Sequence, residues 1–381
     1  MRQSVWAIAA GLFAGVLLGG FEAVGAPPSR SSTPTSPPRV GEARCADAVV
    51  SLGARLFADR RLSGDGQISC ATCHQPERAF SDGRPVARGI GGQLGSRNTP
   101  SLVNASLSTT FSWEGRRTSL EDQVLDPFIN SREHGLANEQ ALLELLAVDS
   151  DLLADFQRTF QRGMGKVLSL EQVALALACF VRTLVADDST FDRFMYKGEH
   201  AALTEGQRRG LKLFRGRGQC ASCHLIGDKD APLTDGQFHA LHLEAGLRRH
   251  LPALVPLVKA TPREQLGELI ASRPDIAALG RFLVTLDPSD IGRFRTPSLR
   301  NVALTAPYMH DGSVPTLARA VEREIYYRSA EVARPVSLTP SERDDLVAFL
   351  ESLTSTKYAA RHGSPTGGSP NPPTLTSEVE P

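Results

Sequence analysis

Two five-residue motifs constrain this chain more than any other feature: Cys70-Ala71-Thr72-Cys73-His74 and Cys220-Ala221-Ser222-Cys223-His224. Both are C-x-x-C-H. Two thiols at that spacing can form thioethers to the vinyl groups of one haem, and the adjacent histidine then turns in to ligate iron from the proximal side. Covalent attachment holds a cofactor that a small helical core would hold weakly. A disulfide, a thioredoxin-like redox pair and a zinc site are the competing readings. A redox C-x-x-C wants a βαβ setting, which is missing here. A zinc site does not need histidine directly after both pairs. Two copies, in a helical chain and inside a repeated unit, point to two covalently bound c-type haems.

The N-terminus predicts export. Arg2 precedes an apolar run from Val5 to Leu18, Gly19 and Gly20 break it, and Val24-Gly25-Ala26 offers small residues for cleavage. Residues 1–26 read as a signal peptide. An uncleaved anchor is the alternative, but the run is short for a spanning helix and ends in glycines and a glutamate. No cysteine closes the run, which argues against a lipoprotein. The expected location is the periplasm, with no membrane contact after cleavage. That compartment is oxidising. Cys45 and Cys179 lie outside the two motifs. A disulfide between them and an apolar packing role for Cys179, within Ala176-Leu177-Ala178, are both open. Lys and Arg together number 42 and Asp and Glu 42. This balance gives no support to a nucleic-acid partner, whose phosphates favour a basic face. A local patch could still steer a protein partner.

Residues 27–42 are rich in Pro, Ser and Thr, as are residues 361–381, and neither stretch can bury a core. They read as a disordered linker and tail around a folded body. Helical signals dominate that body. Ser169 with Gln172 opens an apolar helical run from Leu170 to Ala186. Thr204 with Gln207, and Thr339-Pro340 with Glu342, open two more helices. Residues 139–147 also read as helix, and no convincing run of alternating strands is present. The chain repeats itself: Arg97-Asn98-Thr99-Pro100-Ser101-Leu102-Val103-Asn104 recurs as Arg295-Thr296-Pro297-Ser298-Leu299-Arg300-Asn301. Fifteen residues after each proline comes Gly115 or Gly312, preceded by Glu114 or Asp311. Ser119-Leu120 and Val124 match Thr316-Leu317 and Val321. Upstream of each copy stand a Gly-x-x-Leu-Phe-like helix and then a C-x-x-C-H. The fold class is therefore mainly α, with two cytochrome c-like helical domains, 43–190 and 191–360, each carrying one haem.

The order of motifs resembles the bacterial di-haem cytochrome c peroxidase and MauG family, over nearly all of the body from about Leu52 to Leu353. The resemblance is carried by both C-x-x-C-H motifs, by Phe80-Ser81-Asp82-Gly83, by the Arg-Asn-Thr-Pro-Ser-Leu block and by Trp113-Glu114-Gly115-Arg116. It is most specific in Leu299-Arg300-Asn301-Val302-Ala303-Leu304-Thr305-Ala306-Pro307-Tyr308-Met309-His310-Asp311-Gly312. The resemblance implies an oxidoreductase that reduces hydrogen peroxide with electrons from a small donor protein, a cytochrome c or a cupredoxin. His74 would be the proximal ligand of the first haem, where peroxide reacts, and His224 that of the second, which takes in electrons. Glu133, within Arg132-Glu133-His134-Gly135, matches the distal acid-base glutamate. Gln123 and Pro127 match positions lining the same pocket, and Trp113 the tryptophan between the haems. Asn98, Thr305 and Pro307 match residues that hold a calcium ion, the last two through backbone carbonyls. A carboxylate suits the chemistry: peroxide must lose a proton from one oxygen and gain one on the other, and an acid lifted by an apolar wall does both in turn. On spacing alone Glu133 reads as a surface residue in a polar turn, and Trp113 as a core aromatic. His310, opposite Trp113 in the repeat, is a haem contact, an interface residue or a turn residue.

The sequence departs from the family in three places. The loop Gly89-Ile90-Gly91-Gly92-Gln93-Leu94-Gly95 has no histidine, where relatives that need reductive activation carry one. The implied first haem has an open face and reacts without prior reduction. The family's sixth ligand of the second haem, a Met or Tyr, falls at Glu324; Tyr326 or Tyr327 reaches it through a short insertion, and Met309 is a further candidate, with the tyrosines preferred. Third, residues Leu247 to Leu279 read as two extra amphipathic helices, which could cover a haem edge, form a homodimer surface or be a tolerated insertion. His200, His239, His242 and His250 read as ordinary surface or loop residues. Two rival functions stay in view: a MauG-like enzyme that oxidises a partner protein, and a non-catalytic di-haem electron-transfer cytochrome.

Overall fold

The computed structural model describes residues 45–160, 168–240, 245–331 and 335–362. The expected signal peptide, the linker, nearly all of the expected tail and His242 lie outside them.

The first half builds one apolar cluster. Helix α1 (Asp47–Ala58) buries Val49, Leu52 and Leu56, spaced so that they share one face. A one-turn helix, α2 (Cys70–Cys73), follows, and then α3 (Leu120–Ile129), α4 (Glu139–Val148), α5 (Ser150–Phe160) and α6 (Leu170–Arg182). Helix α6 is the hub: every residue from Gln172 to Val181 is buried, so it is enclosed on all sides. It meets α1 at Gly53, where a Cβ would stand 1.9 Å from the Ala176 carbonyl oxygen. Any side chain there would force the helices apart. Cys45 and Cys179 form a disulfide across this contact, which settles the pairing that the sequence left open.

The second half repeats the design. After α7 (Thr190–Tyr196), helix α8 (Glu205–Arg215) packs on a later helix, α14 (Pro340–Glu351), and Gly210 makes the approach. A Cβ at Gly210 would lie 2.0 Å from the Asp345 carbonyl oxygen. Arg209 adds a forked pair to the Asp345 carboxylate at 2.7 Å on each arm. Thr204 with Gln207 and Thr339 with Glu342 form the expected capping boxes. Ser169 caps α6 through the Gln172 amide.

Between these parts lie α9 (Ala245–Ala260), α10 (Leu266–Ser272), α11 (Pro274–Ala277) and α12 (Phe282–Thr285). They bury a third cluster that includes Leu254, Val258, Ile270, Ile276 and Phe282. The extra helical segment expected at 247–279 is thus a small packed body. One expectation fails: a two-stranded antiparallel ribbon is present, Phe238–Ala240 on Arg293–Arg295, with His239 opposite Phe294. Three residues per strand are too few for alternation to register in a sequence.

The chain closes with α13 (Leu317–Glu331), α14 (Pro340–Glu351) and α15 (Thr356–His362). Tyr358 on α15 is fully buried within the first cluster, so the C-terminal segment returns to the first half. Helix also runs to His362, two residues into the expected tail. No helix among the described residues is long and apolar enough to cross a membrane.

The repeat is visible atom by atom. Asn104 and Asn301 both adopt a left-handed backbone, φ 59° and 60°. Each accepts a backbone N–H on its side-chain oxygen, from Ala186 and Ser355 respectively, at 2.9 and 2.8 Å. The Ser101 hydroxyl donates to the Ala79 carbonyl, and the Ser298 hydroxyl to that of Pro232.

Candidate functional site

Each C-x-x-C-H ends in a histidine held the same way. The Nδ1–H of His74 donates to the Phe80 carbonyl at 2.9 Å, and that of His224 to the Leu233 carbonyl at 2.8 Å. A carbonyl only accepts, so Nδ1 carries the proton and the lone pair sits on Nε2, the tautomer a metal-binding imidazole needs. The loops reach back because Phe80 and Leu233 take positive φ, 59° and 54°. Phe57 and Phe214 flank the two imidazoles with equal centroid separations of 6.4 Å. Burial keeps His74 neutral by pushing its pKa down.

None of the four motif cysteines is in a disulfide. Burial pushes the Cys70 and Cys73 thiols up to about 12, with Glu133 contributing to both. A thiol-exchange pair needs the opposite shift, so the redox-pair reading loses support. Cys223, Asp235 and His239 bring one ligand atom each within 4.8 Å of one another, with His239 bonded to Asp235 at 2.7 Å. A thioether on Cys223 would leave this trio without its thiolate. His239 is therefore a hydrogen-bond partner of Asp235 rather than a plain surface residue.

Glu133 stands in a braced loop. Pro127 sits inside α3 and has no N–H, which frees that helix end to turn. The His134 N–H then donates to the Pro127 carbonyl at 3.1 Å, and the Ile90 N–H to the Glu133 carbonyl at 2.9 Å. Buried His134 bonds the Leu62 carbonyl at 3.0 Å and meets Phe128 edge-on. Gly89 packs so close that a Cβ would lie 2.1 Å from the Arg132 carbonyl oxygen. Asn130 Nδ2 donates to Glu133 Oε1 at 2.7 Å. Burial lifts the Glu133 pKa to about 7; Arg116 opposes the shift, and Asp126 and Glu268 add to it. The half-buried Gln123 accepts a bond from the Ser112 hydroxyl at 2.7 Å. The histidine-free loop 89–95 forms a short turn over Ile90–Gly92 against this acid's loop.

The two copies of the repeat meet at a seam with reciprocal bonds. The Asn98 N–H donates to the His310 carbonyl at 2.8 Å, and the Arg295 N–H to the Trp113 carbonyl at 3.0 Å. Trp113 Nε1 closes the seam on the Asn98 carbonyl at 2.9 Å. His310 stacks on Phe294 with centroids 3.9 Å apart, and Arg97 lies 5.2 Å over the same phenyl ring. Burial, then Arg97, pushes His310 down to about 3, so it is neutral. Glu114, wholly buried, holds Arg97 and Arg116 at 3.2 and 2.5 Å. Burial alone would raise its carboxyl, but the two guanidinium groups outweigh that and keep it ionised. Three guanidinium nitrogens, Arg97 Nε and Nη1 and Arg323 Nε, are buried without a partner, as is Nδ1 of the neutral His310 ring. Buried cationic donors call for an anion, and haem propionates are anions of that kind. The histidine tautomers, the undimerised thiols and these orphaned donors all fit haem.

The remaining candidates are spread around the seam. Asn98 Nδ2 donates to the Arg84 and Pro85 carbonyls at 2.9 and 3.4 Å, and its bond to His310 lays it beside the segment holding Thr305 and Pro307. Helix α13 turns Leu317, Val321 and Ile325 toward the second cluster. Tyr326 is 71% exposed, on the side of the helix that faces away from the cluster. Tyr326 and Tyr327 instead line a cleft of about 430 Å³ with Arg319 and Arg323. Glu324 is half-buried one position before Ile325, and Met309 lies in the seam with a φ of 72°. Two residues with structural weight, Glu114 and Glu268, were given no role by the sequence reading. Glu114 was signalled only by its place before a repeated glycine, and Glu268 by nothing local.

A family model described as di-haem cytochrome c peroxidase matches residues 47–201. A cytochrome-c peroxidase of Denitromonas iodatirespirans is 33% identical over 322 residues, 82% of this chain and 83% of the relative. The cytochrome c551 peroxidase of Pseudomonas aeruginosa is 34% identical over 308 residues, 80% of this chain and 78% of its own length. Among solved structures, a MauG-like protein associated with microbial copper homeostasis superposes with a TM-score of 0.64 at 31% identity. That match covers 84% of this chain and 93% of the other.

Proposed function

This chain belongs to the di-haem cytochrome c peroxidase family, and on that premise we propose how its residues divide the work of reducing hydrogen peroxide. The chain is an oxidoreductase of the peroxidase type, using two haems and a small electron-donor protein. One peroxide, two electrons and two protons give two waters. We assign the peroxide half to residues 43–190 and the electron-entry half to residues 191–360. Cys70 with Cys73, and Cys220 with Cys223, would tether one haem each by thioethers, with His74 and His224 as proximal ligands through Nε2. The haems, when bound, supply the centre at which the peroxide O–O bond breaks and the store from which electrons come.

The chain's own part is to place and move protons. The single observation that carries the reading is Glu133, a carboxyl lifted to about 7 whose charge acts on the first pair of thiols. An ionised Glu133 accepts the proton from one peroxide oxygen and returns it to the other, which then leaves as water. A pKa near the working pH suits a group that must do both. Gln123 and Pro127 border the pocket, and Trp113 bridges the repeats with its ring pinned by Asn98. We further propose a calcium ion held by the Asn98 side chain and the carbonyls of Thr305 and Pro307, and periplasmic residence of the mature protein.

Two measurements test this. Mass spectrometry of the exported protein is expected to show two haem adducts, on peptides containing Cys70–Cys73 and Cys220–Cys223. With a reduced small cytochrome or cupredoxin as donor, peroxide is expected to be consumed in steady turnover. Absence of adducts would end the haem assignment, and absence of turnover the peroxidase one. The pH profile gives a third check. Glu133 must be ionised in the free enzyme to take the proton. Its pKa lies above that of an ordinary carboxyl, so kcat/KM for peroxide is expected to fall as pH drops through about 7. A profile flat down to pH ~5 would remove Glu133 as the base.

A further inference from the structure

We propose that Glu268, on the extra helix α10, is a positioning residue that latches the loop bearing Glu133. The inference rests on the acid-base assignment just made and deepens it.

The latch is specific. The Ser131 hydroxyl donates to Glu268 Oε1 at 2.6 Å, and the Ser131 backbone N–H to Glu268 Oε2 at 3.2 Å. One carboxylate thus holds both donors of a residue two positions before Glu133. Ionised acceptors make stronger hydrogen bonds than neutral ones. The helix that carries Glu268 is itself fixed. Ile270 is buried in the third cluster, and its carbonyl accepts a buried bond from the Ser96 hydroxyl at 2.5 Å. Arg281, beyond the same small body, donates to the carbonyls of Glu114 and Gly115 at 3.0 and 2.9 Å. The extra helices therefore grip the Glu133 loop at one end and the Trp113-Glu114-Gly115 segment at the other. On the far side of the loop, Gln93 Nε2 donates to the Ser131 carbonyl at 3.4 Å, and Arg132 Nη1 to the Leu94 carbonyl at 3.1 Å. Without Glu268, Ser131 itself keeps only the long bond from Gln93, while the neighbouring Arg132 and Glu133 keep theirs.

The charges facing Glu133 come from three elements: Arg116 before α3, Asp126 on α3 and Glu268 on α10. Of these, Glu268 alone belongs to the extra helices. Its negative charge disfavours ionisation of Glu133, so a carboxylate here has two effects. It holds the loop still, and it keeps the acid half-protonated nearer neutrality.

The test compares Glu268→Ala, Glu268→Gln and Glu133→Gln in the haem-loaded protein. Hydrogen exchange of the peptide spanning residues 129–136 is expected to quicken about tenfold in Glu268→Ala, and less in Glu268→Gln, whose amide oxygen can still accept one bond. Both Glu268 variants are expected to move the acid limb of kcat/KM to lower pH, by roughly 0.3 unit or more. Glu268→Ala is expected to lower kcat/KM about 10-fold, the scale of outer-shell substitutions. Ser131→Ala, which removes one donor and no charge, should quicken exchange without moving the limb. Unchanged exchange and an unmoved limb in both Glu268 variants, with Glu133→Gln still inactive, overturn the latch alone. Full activity in Glu133→Gln overturns the acid-base reading instead.

Discussion

Glu133→Gln is expected to lower kcat/KM for hydrogen peroxide by about 10²- to 10⁴-fold, the range in which positioned proton transfer contributes. The substitution is close to isosteric. Gln keeps an oxygen that can accept the 2.7 Å bond from Asn130 Nδ2. It keeps the backbone carbonyl that receives the Ile90 N–H. What it loses is the ability to carry a proton in and give it back. These neighbours offer no ready substitute: Gln123 cannot ionise, Cys70 and Cys73 as thioethers would carry no proton, and Asp126 is held by Arg116 and Arg117. The acid limb near pH 7 should vanish with the activity, because the group that titrates there is gone. Both haem adducts should remain, since Glu133 touches neither proximal histidine. Stopped-flow consumption of peroxide with a pre-reduced donor reads the rate. Turnover within threefold of the parent protein would leave the geometry intact and the assignment dead. A parent protein that exchanges electrons with the donor but never consumes peroxide would point instead to an electron-transfer cytochrome.

How much of this was legible in the chain follows from how local each signal is. Helix starts were legible because a cap and its partner lie three residues apart, as with Thr204 and Gln207. The duplication was legible because the same fold demands the same turn twice. Asn104 and Asn301 need left-handed backbone, and asparagine tolerates it. That duplication carried further than expected, since the seam bonds of Asn98 and Arg295 are one interaction made in both directions. The ribbon at 238–240 was not legible, because three-residue strands carry no period. The facing direction of Tyr326 was not legible, because counting along a helix finds a distance from Thr316 and nothing more. Leu317, Val321 and Ile325 define the inner face, and Tyr326 is one residue past it. Glu268 could not be foreseen at all. Its contact with Ser131 spans 137 residues and depends on how an inserted cluster docks.

Removing the disulfide, as Cys45→Ala with Cys179→Ala, is expected to cost about 3–5 kcal/mol of stability, a drop on the order of 10²- to 10⁴-fold in the folding equilibrium. The bond joins residues 134 apart, and closing a loop of that length removes chain entropy from the unfolded state worth about 5 kcal/mol at 25 °C. Other features set where the loss is felt. Helix α1 begins at Asp47 with Ala46 before it, and no side chain caps that end. Apart from the disulfide, the start of α1 rests on apolar packing from Val49 inward. Cys179 lies fully buried on α6, among residues that are buried on every face. Alanine is the right replacement there, because serine would bury a hydroxyl and add a second cost. The variant should therefore fray at the first turn of α1 before it unfolds as a whole. Hydrogen exchange of residues 45–52 is expected to rise more than that of α6. Denaturant midpoints should fall, and peroxide turnover at low temperature should match the parent, since neither cysteine is among the residues assigned to the peroxide site. A midpoint shift smaller than that of a single surface substitution would mean that α1 is held by packing alone. The Gly53 contact on Ala176 would then be the true anchor of the first half.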